Sequence, residues 1–573
     1  MASIKFVAVR GNSYPVKEQL KKLGARWNGD EKCWMVSESK EAQANALVRG
    51  AGPGSSAYAS PRGPAQDYSG FRPTGEQAAL LSFLQAGDRN LFVEAGAGCG
   101  KTTTALWLLS HLRGRMCMVA FNRDIKKDIE AKAPAGVDVL TMNALGFRAL
   151  KDAYRVRDVA LDSDYTFTLL KGMHGEDVVR EDFRFYAQVS KLYDLARGAL
   201  AESVEDLQIL AADFELSFVD ENVEEPVDRI EQAIALVLSL MSGRREGTTC
   251  PDGIDFVDQM WLPVVRGLAM PKYDVLVIDE AQDTNALQVE MLARCADAGC
   301  RVIAVGDRRQ AIYKFRGADS RAVDAIIERF DMRVLPLMTT FRCATSIVAE
   351  AQAIVPQFQA GPNNPAGIVR AIDAERLPYD VKPGDFVIAR SNAPLIAGCI
   401  AALAAGVRAT MVGRDIGEDL LKLAKKFRAK TMEEFYARLD AWKLQQIQKL
   451  ARKIPVREAA IESVEDRAQC LEAIADGCDR VEALYKRCET LFTDVSSEPR
   501  IEFTSTHKAK GRERARVFLL RDTFCKSRPN RATGEWSAPS EEEFNLLYVA
   551  ITRAKTELVY VSGDPSRGSR GRR

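Results

Sequence analysis

The stretch VEAGAGCGKTTTAL, Val93 to Leu106, constrains the fold more than any other part of the chain. The apolar run NLFV (Asn90–Val93) reads as a buried parallel strand, and TTTALWLLSHL reads as the helix that follows. Between them Ala95, Gly96, Ala97, Gly98, Cys99 and Gly100 are all small. Such residues let backbone N–H groups turn inward at a helix N-terminus and cradle phosphate oxygens. Lys101 reaches the β- and γ-phosphates from this position, and the Thr102 hydroxyl, with Thr103 beside it, is placed to ligate Mg²⁺. Ala95 stands where the common pattern opens with Gly. A loop of this kind implies a nucleoside triphosphate and no more.

A second nucleotide signal is YDVLVIDEAQD, Tyr273 to Asp283. A buried strand there delivers Asp279 to a Mg²⁺ shell and Glu280 to the strand's C-terminal end, where a carboxylate can orient and deprotonate water. Strand-like runs recur at CMVAF, DVLVID, RVIAVGD, DFVIAR and RVFLL, with helical segments between them. This alternation predicts an α/β fold with doubly wound parallel sheets. Residues 150–250 and about 414–495 are charged and helical in pattern and are expected to be helical insertions. The expected division is 71–330 for a first sheet domain and 331–563 for a second.

Residues 1–49 read as a separate small α+β module, with Asn28-Gly29 turning a hairpin between Trp27 and Trp34. Lys21, Lys22, Arg26 and Lys32 beside the tryptophans suit single-stranded nucleic acid, whereas a tiny tryptophan core is the commoner use of such residues. Residues 50–70 hold 12 Gly, Pro or Ser in 21 and read as a flexible linker; residues 564–573 read as a basic tail. The net charge of +1 means that any nucleic-acid surface must be local. The 12 cysteines include no CxxC pair, which suits free thiols in a reducing compartment. Only His111, His174 and His507 occur, so oxygen ligation of Mg²⁺ is expected rather than a histidine metal site. No run is long enough for a signal peptide or a membrane span, so the expected location is the cytoplasm of a bacterium or phage-infected host, or a eukaryotic nucleus.

DEAQD, VGDRRQAIYKFRGA (Val305–Ala318), TSTHKAKGRE (Thr504–Glu513) and LLYVAITRAK (Leu546–Lys555) occur in one order. Together they resemble the UvrD/Rep/PcrA branch of superfamily 1 DNA helicases over about residues 71–563, in particular its compact phage and F-box members. The resemblance implies two RecA-like motor domains with ATP in the cleft between them. It implies that Gln77 reads adenine, Phe341 stacks on the base, and Glu513 holds the ribose. Gln310 then senses the γ-phosphate, and Arg342 and Arg553 bring guanidinium groups to it as arginine fingers do. For DNA it implies Phe121, Asn122, Thr141, Asn143, Tyr313, Phe315, Arg316, Thr506 and His507, with Tyr313 and Phe315 stacking on bases. Asn143 replaces a usual His, and Phe544-Asn545 stands where many relatives carry two arginines. GIDFVDQMWLP (Gly253–Pro263) also looks familial and is assigned a structural role.

The expected function is an ATP-driven, 3′→5′ motor on single-stranded DNA that separates duplex, with ATP and Mg²⁺ as cofactors. Expected partners are single strands, duplex junctions and other replication, recombination or repair proteins. The alternatives are a translocase that strips bound proteins, the motor subunit of a helicase–nuclease, and a DNA-binding scaffold with a decayed ATPase. The last conflicts with the full set Lys101, Thr102, Asp279, Glu280, Gln310, Arg342 and Arg553. Lysines and arginines between Lys422 and Lys453 are expected to form a basic arm that grips phosphate.

Overall fold

Strands buried on both faces need helices above and below, and in this chain that demand is met twice. The computed structural model describes residues 67–87, 89–214, 216–220, 227–312, 322–451, 458–492, 499–529 and 536–563, together with short stretches between residues 6 and 45. The first sheet has six parallel strands in the spatial order Arg333–Leu337, Leu91–Ala95, Ala296–Gly306, Tyr273–Ile278, Met116–Ala120 and Val137–Thr141. The second, also parallel, runs Ile368–Asp373, Ala554–Ser562, Arg514–Leu520, Phe386–Ala389, Ile501–Ser505 and Ala409–Met411. The fold is α/β with two parallel sheets, as the alternation of strand and helix signals predicts, and the two lobes are RecA-like, as the family resemblance implies.

The expected boundary at 330/331 needs correction. Arg333–Leu337 pairs in parallel with Leu91–Ala95 and completes the first sheet, so the chain crosses to the second lobe after Leu337. The strand lies at an edge, with Arg333, Val334 and Pro336 exposed, and so lacks the continuous apolar signature of a central strand.

Both insertions are helical. The first carries helices Tyr165–His174, Glu176–Glu181, Phe183–Ala199, Val204–Asp213 and Ile230–Glu246, and shares one core with the first sheet. The second carries Arg414–Lys426, Met432–Ala451, Glu458–Ala475 and Val481–Leu491, whose apolar stripes pack with the second sheet. A third core crosses between the lobes and joins Ala97 and Cys99 to Leu546 and Tyr548.

In the N-terminal module, Cys33–Ser37 pairs antiparallel with both Phe6–Val9 and Arg26–Asn28, with Trp27 and Trp34 backbone partners in the register. Trp34 is buried with Leu20, Ala25, Val36 and Ala44, the small core that such a module needs. Most of the 50–70 stretch and the whole 564–573 tail lie outside the described residues, but Tyr68 is buried and its hydroxyl donates to the Lys132 carbonyl at 3.0 Å. The body of the protein thus begins a few residues earlier than the composition suggests.

Candidate functional site

The strand Leu91–Ala95 ends in the glycine-rich loop, and the helix Lys101–Ser110 begins at once behind it. Gly98 and Gly100 have φ of 71° and 77°, a region that favours glycine. At Gly98 a Cβ would also lie 2.4 Å from the Arg342 Cβ, so the loop needs glycine there for space as well. Lys101 Nζ lies 3.2 Å from Glu280 Oε2, and Thr102 Oγ1 donates to Asp279 Oδ2 at 2.8 Å. Glu280 itself sits at φ 50° just past the strand Tyr273–Ile278. A non-glycine residue held there costs about 1–3 kcal/mol, a strain tolerated where a side chain must be aimed. Gln282 Nε2 donates to Glu280 Oε2 at 2.6 Å. Burial opposes the charge on Glu280, but Lys101, then Gln282 and Lys510, outweigh it and hold the carboxyl below its usual range. Burial and the neighbouring Glu280 push Asp279 above that range. The pair therefore splits into a firmly ionised Glu280 and an Asp279 that calls for a cation. Among the described residues no His/Cys/Asp/Glu group of three or more forms a metal cluster; the hard oxygens of Thr102 and Asp279 in contact fit Mg²⁺.

The second lobe meets this loop directly. Phe341 N–H donates to the Gly98 carbonyl at 3.0 Å, and its ring is 52 % exposed at the cleft. Arg342 is paired with Glu513, which also holds Lys555 at 2.6 Å. Arg553 is fully buried and donates to the Val549 carbonyl at 2.9 Å and to the Thr552 hydroxyl at 3.2 Å. No carboxylate among the described residues pairs with it. Burial, reinforced by the positive charge of Arg342, lowers its pKa to about 10. A buried cation without a counter-ion is costly, and an incoming anion relieves that cost. Gln310 donates to Asp307 at 2.6 Å, while Lys510 Nζ reaches both Asp283 oxygens and the Gln310 carbonyl at 2.8 Å each. Gln77 is buried; its amide accepts from Thr74 N–H at 2.9 Å and donates to Thr104 Oγ1 at 2.8 Å.

Several residues expected at the DNA face carry structural bonds. Asn122 caps the helix Arg123–Glu130, and Thr141 caps Met142–Tyr154. Asn143 Nδ2 donates to the Phe256 carbonyl at 2.6 Å. Thr506 is fully buried and donates to the Ala389 carbonyl at 3.3 Å, so its side chain offers no surface; it anchors the turn that carries His507. Phe121 is 38 % exposed. Tyr313, Phe315 and Arg316 lie outside the described residues.

Comparison with known proteins bears on this geometry. The UvrD/REP helicase N-terminal domain family matches residues 263–331, and the UvrD-like helicase C-terminal domain family matches residues 412–563. The chain belongs to the UvrD/Rep/PcrA-like superfamily 1 helicases. It is similar to the ATP-dependent DNA helicase UvrD2 of Mycobacterium tuberculosis, at 26 % identity over 84 % of this chain and 77 % of that protein. F-box DNA helicase protein 1 of Schizosaccharomyces pombe is 24 % identical over 85 % of this chain and 57 % of its own length. The ATP-dependent DNA helicase Rep of Escherichia coli is 24 % identical over 46 % of this chain and 40 % of that one. As a UvrD-like helicase the protein is an ATP-dependent DNA helicase, with ATP hydrolysis tied to DNA. No described helix is long and apolar enough to cross a membrane.

Two features of this UvrD-like helicase escape sequence reading. The stretch GIDFVDQMWLP does hold the fold together, because Asp255 and Asp258 turn inward onto the fully buried Arg197 at 2.6 and 2.7 Å. Between those acids Phe256 turns outward, 48 % exposed, beside Asn143. The acid–aromatic–x–acid spacing was the available signal. The second feature is a groove of about 460 Å³ between the two insertions, where Arg184 of the first faces Lys422, Lys426 and Arg467 of the second, with Trp442 in the wall and the Asp419 carboxylate at its edge. Within the groove Lys422 is paired with Asp419 at 3.7 Å; of the other lysines of the expected arm, Lys425 is paired with Glu489 at 3.7 Å and Lys443 with Glu472 at 3.9 Å. Lys453 lies outside the described residues.

Proposed function

We propose that this helicase binds ATP with Mg²⁺ in the cleft between the lobes, walks 3′→5′ along single-stranded DNA, and separates duplex ahead of it. The observation that carries the reading is the convergence on one loop of Lys101, Thr102, Asp279 and Glu280 from the first lobe with Arg342 from the second, beside which Arg553 is buried. Incoming phosphate competes with Glu280 for Lys101. Once Lys101 turns to the phosphate, the Glu280 carboxylate is released to take the proton of the attacking water. Thr102 and Asp279 would hold Mg²⁺, which neutralises charge on the β- and γ-oxygens when bound. Arg342 leaves Glu513 for the γ-phosphate, which frees that carboxylate for the ribose hydroxyls, and Arg553 gains the anion it lacks. Phe341 supplies a face for the base, whereas the Gln77 amide is buried and taken by Thr74 and Thr104.

The ATP state reaches the strand through the bonded series Glu280–Gln282–Asp307–Gln310–Lys510–Asp283, which begins at the attacking water and crosses between the lobes at Lys510. Gln310 is three residues before Tyr313, so its movement shifts the segment assigned to base stacking. Phe121, Phe256 and His507 add surface for the strand on the lobes, with Asn122, Thr141, Asn143 and Thr506 fixing the turns that present them. The groove between the insertions supports duplex engagement, since cations from two sides suit a phosphate backbone without reading sequence. Strand displacement on duplexes bearing a 3′ or a 5′ single-stranded tail tests this function. Displacement from the 3′-tailed substrate is the expected result. Displacement from the 5′ tail alone contradicts the polarity, and DNA-stimulated hydrolysis with no displacement from either tail leaves a translocase.

A further inference from the structure

We propose that the Ala97 peptide of the phosphate loop is clamped by Tyr548 and Thr340, and that these two are positioning residues which register Arg553 and Arg342 to the loop. The inference rests on the arginine roles proposed above. Ala97 N–H donates to the Tyr548 hydroxyl at 2.9 Å, and the Thr340 hydroxyl donates to the Ala97 carbonyl at 2.7 Å. One residue of the loop is therefore held at both its backbone groups by the second lobe and the crossover into it. Tyr548 is fully buried; its ring meets Phe358 edge-on at 5.8 Å, and Phe358 in turn lies where a Cβ on Gly96 would strike at 2.8 Å. Each clamp precedes an arginine. Thr340 stands two residues before Arg342, and its Oγ1 also accepts the Arg342 N–H at 3.2 Å. Tyr548 lies in the helix Glu541–Ile551; its carbonyl accepts from the Thr552 hydroxyl at 2.8 Å, and Arg553 Nε donates to the next carbonyl, Val549, at 2.9 Å. When the loop closes on phosphate, the backbone at Ala97 moves and carries both guanidinium groups with it. Neither hydroxyl touches the reacting atoms.

The test is steady-state, DNA-stimulated ATP hydrolysis by Tyr548→Phe, Thr340→Val and the double variant, with Tyr548→Phe made also in an Arg553→Ala background. Both single changes keep the shape of the side chain and remove its hydroxyl, with one bond lost in Tyr548→Phe, to Ala97, and two in Thr340→Val, to Ala97 and Arg342. Tyr548→Phe is expected to lower kcat about tenfold, the scale of one lost positioning bond, and Thr340→Val by at least as much, each with KM for ATP within about twofold. The double variant should be little worse than the poorer single, because both act through one residue of the loop. In the Arg553→Ala background Tyr548→Phe should cost clearly less than it does in the wild type, because only the share that acts through Arg342 remains. A raised KM at unchanged kcat, an unimpaired Tyr548→Phe, or a loss that multiplies with Arg553→Ala each overturns the clamp. Arg553→Ala at full rate overturns the arginine role and the clamp with it, whereas an inactive Arg553→Ala beside an unimpaired Tyr548→Phe removes the clamp alone.

Discussion

Lys101 and Glu280 form an ion pair of 3.2 Å between the phosphate loop and the turn that follows the strand Tyr273–Ile278. Two residues with opposite tasks toward ATP are thus each other's partner before ATP arrives. Their substitutions should diverge. Lys101→Ala removes the phosphate's cation and leaves Glu280 without its main counter-charge, so nucleotide binding and turnover both fall. Glu280→Gln removes the base and frees Lys101, so nucleotide binds at least as tightly while turnover drops by about a hundredfold or more. Titration with a fluorescent nucleotide beside an ATPase assay measures both. Equal loss of binding in the two variants contradicts the assignment.

Phe256 is half exposed on the turn that Asn143 braces. Phe256→Ala should cost single-strand affinity about 1–3 kcal/mol with little dependence on base identity, as should alanine at Tyr313 or Phe315. Anisotropy of labelled oligonucleotides of different composition reads this. Unchanged affinity in Phe256→Ala returns the ring to ordinary exposed surface.

The groove between the insertions sorts the basic residues into two sets. Charge reversal at Lys422, Lys426 and Arg467, which line it, should weaken binding to forked DNA and flatten its salt dependence by roughly one unit of slope for each phosphate that is no longer neutralised. Reversal at Lys443, which pairs with Glu472 and does not line the groove, should do less. Hydrolysis on short single strands should persist in all of them. Equal salt slopes for the wild type and the groove variants mean the duplex is held elsewhere.

Arg197 is fully buried against Asp255 and Asp258, with Asp194 at 2.5 Å at the rim and Arg244 on the far side of Asp258. Arg197→Ala strands the buried Asp255 and leaves Asp258 with Arg244 alone, and should cost about 3–5 kcal/mol. The midpoint of urea unfolding followed at the first lobe measures it, and a shift equivalent to less than about 1 kcal/mol means that the cluster is not what ties the insertion to its lobe.

Local chemistry is what the sequence made readable. Leu91–Ala95, the glycine loop and Lys101 are contiguous, and so are Tyr273–Ile278, Asp279 and Glu280, so a strand-then-charge pattern locates them. The edge strands Arg333–Leu337 and Ile368–Asp373 were not readable, because exposed positions break their apolar runs. Asn122 and Thr141 show a different limit. The oxygen that could hold a phosphate is the same one that caps a helix, and spacing alone does not say which partner it takes. Contacts such as Ala97 with Tyr548, or Arg342 with Glu513, join residues far apart in the chain, and only the packing of the two lobes brings them together.

The central claim is that one cleft couples ATP to DNA through groups from both lobes. Its most direct test is the rate of ATP hydrolysis with and without a single-stranded oligonucleotide, in the wild type and in Arg553→Ala. The account predicts strong stimulation by DNA in the wild type and a stimulated rate lower by about a thousandfold in Arg553→Ala, with ATP affinity changed only a few-fold. A stimulated rate in Arg553→Ala within a few-fold of wild type, or a wild-type rate indifferent to DNA, contradicts it.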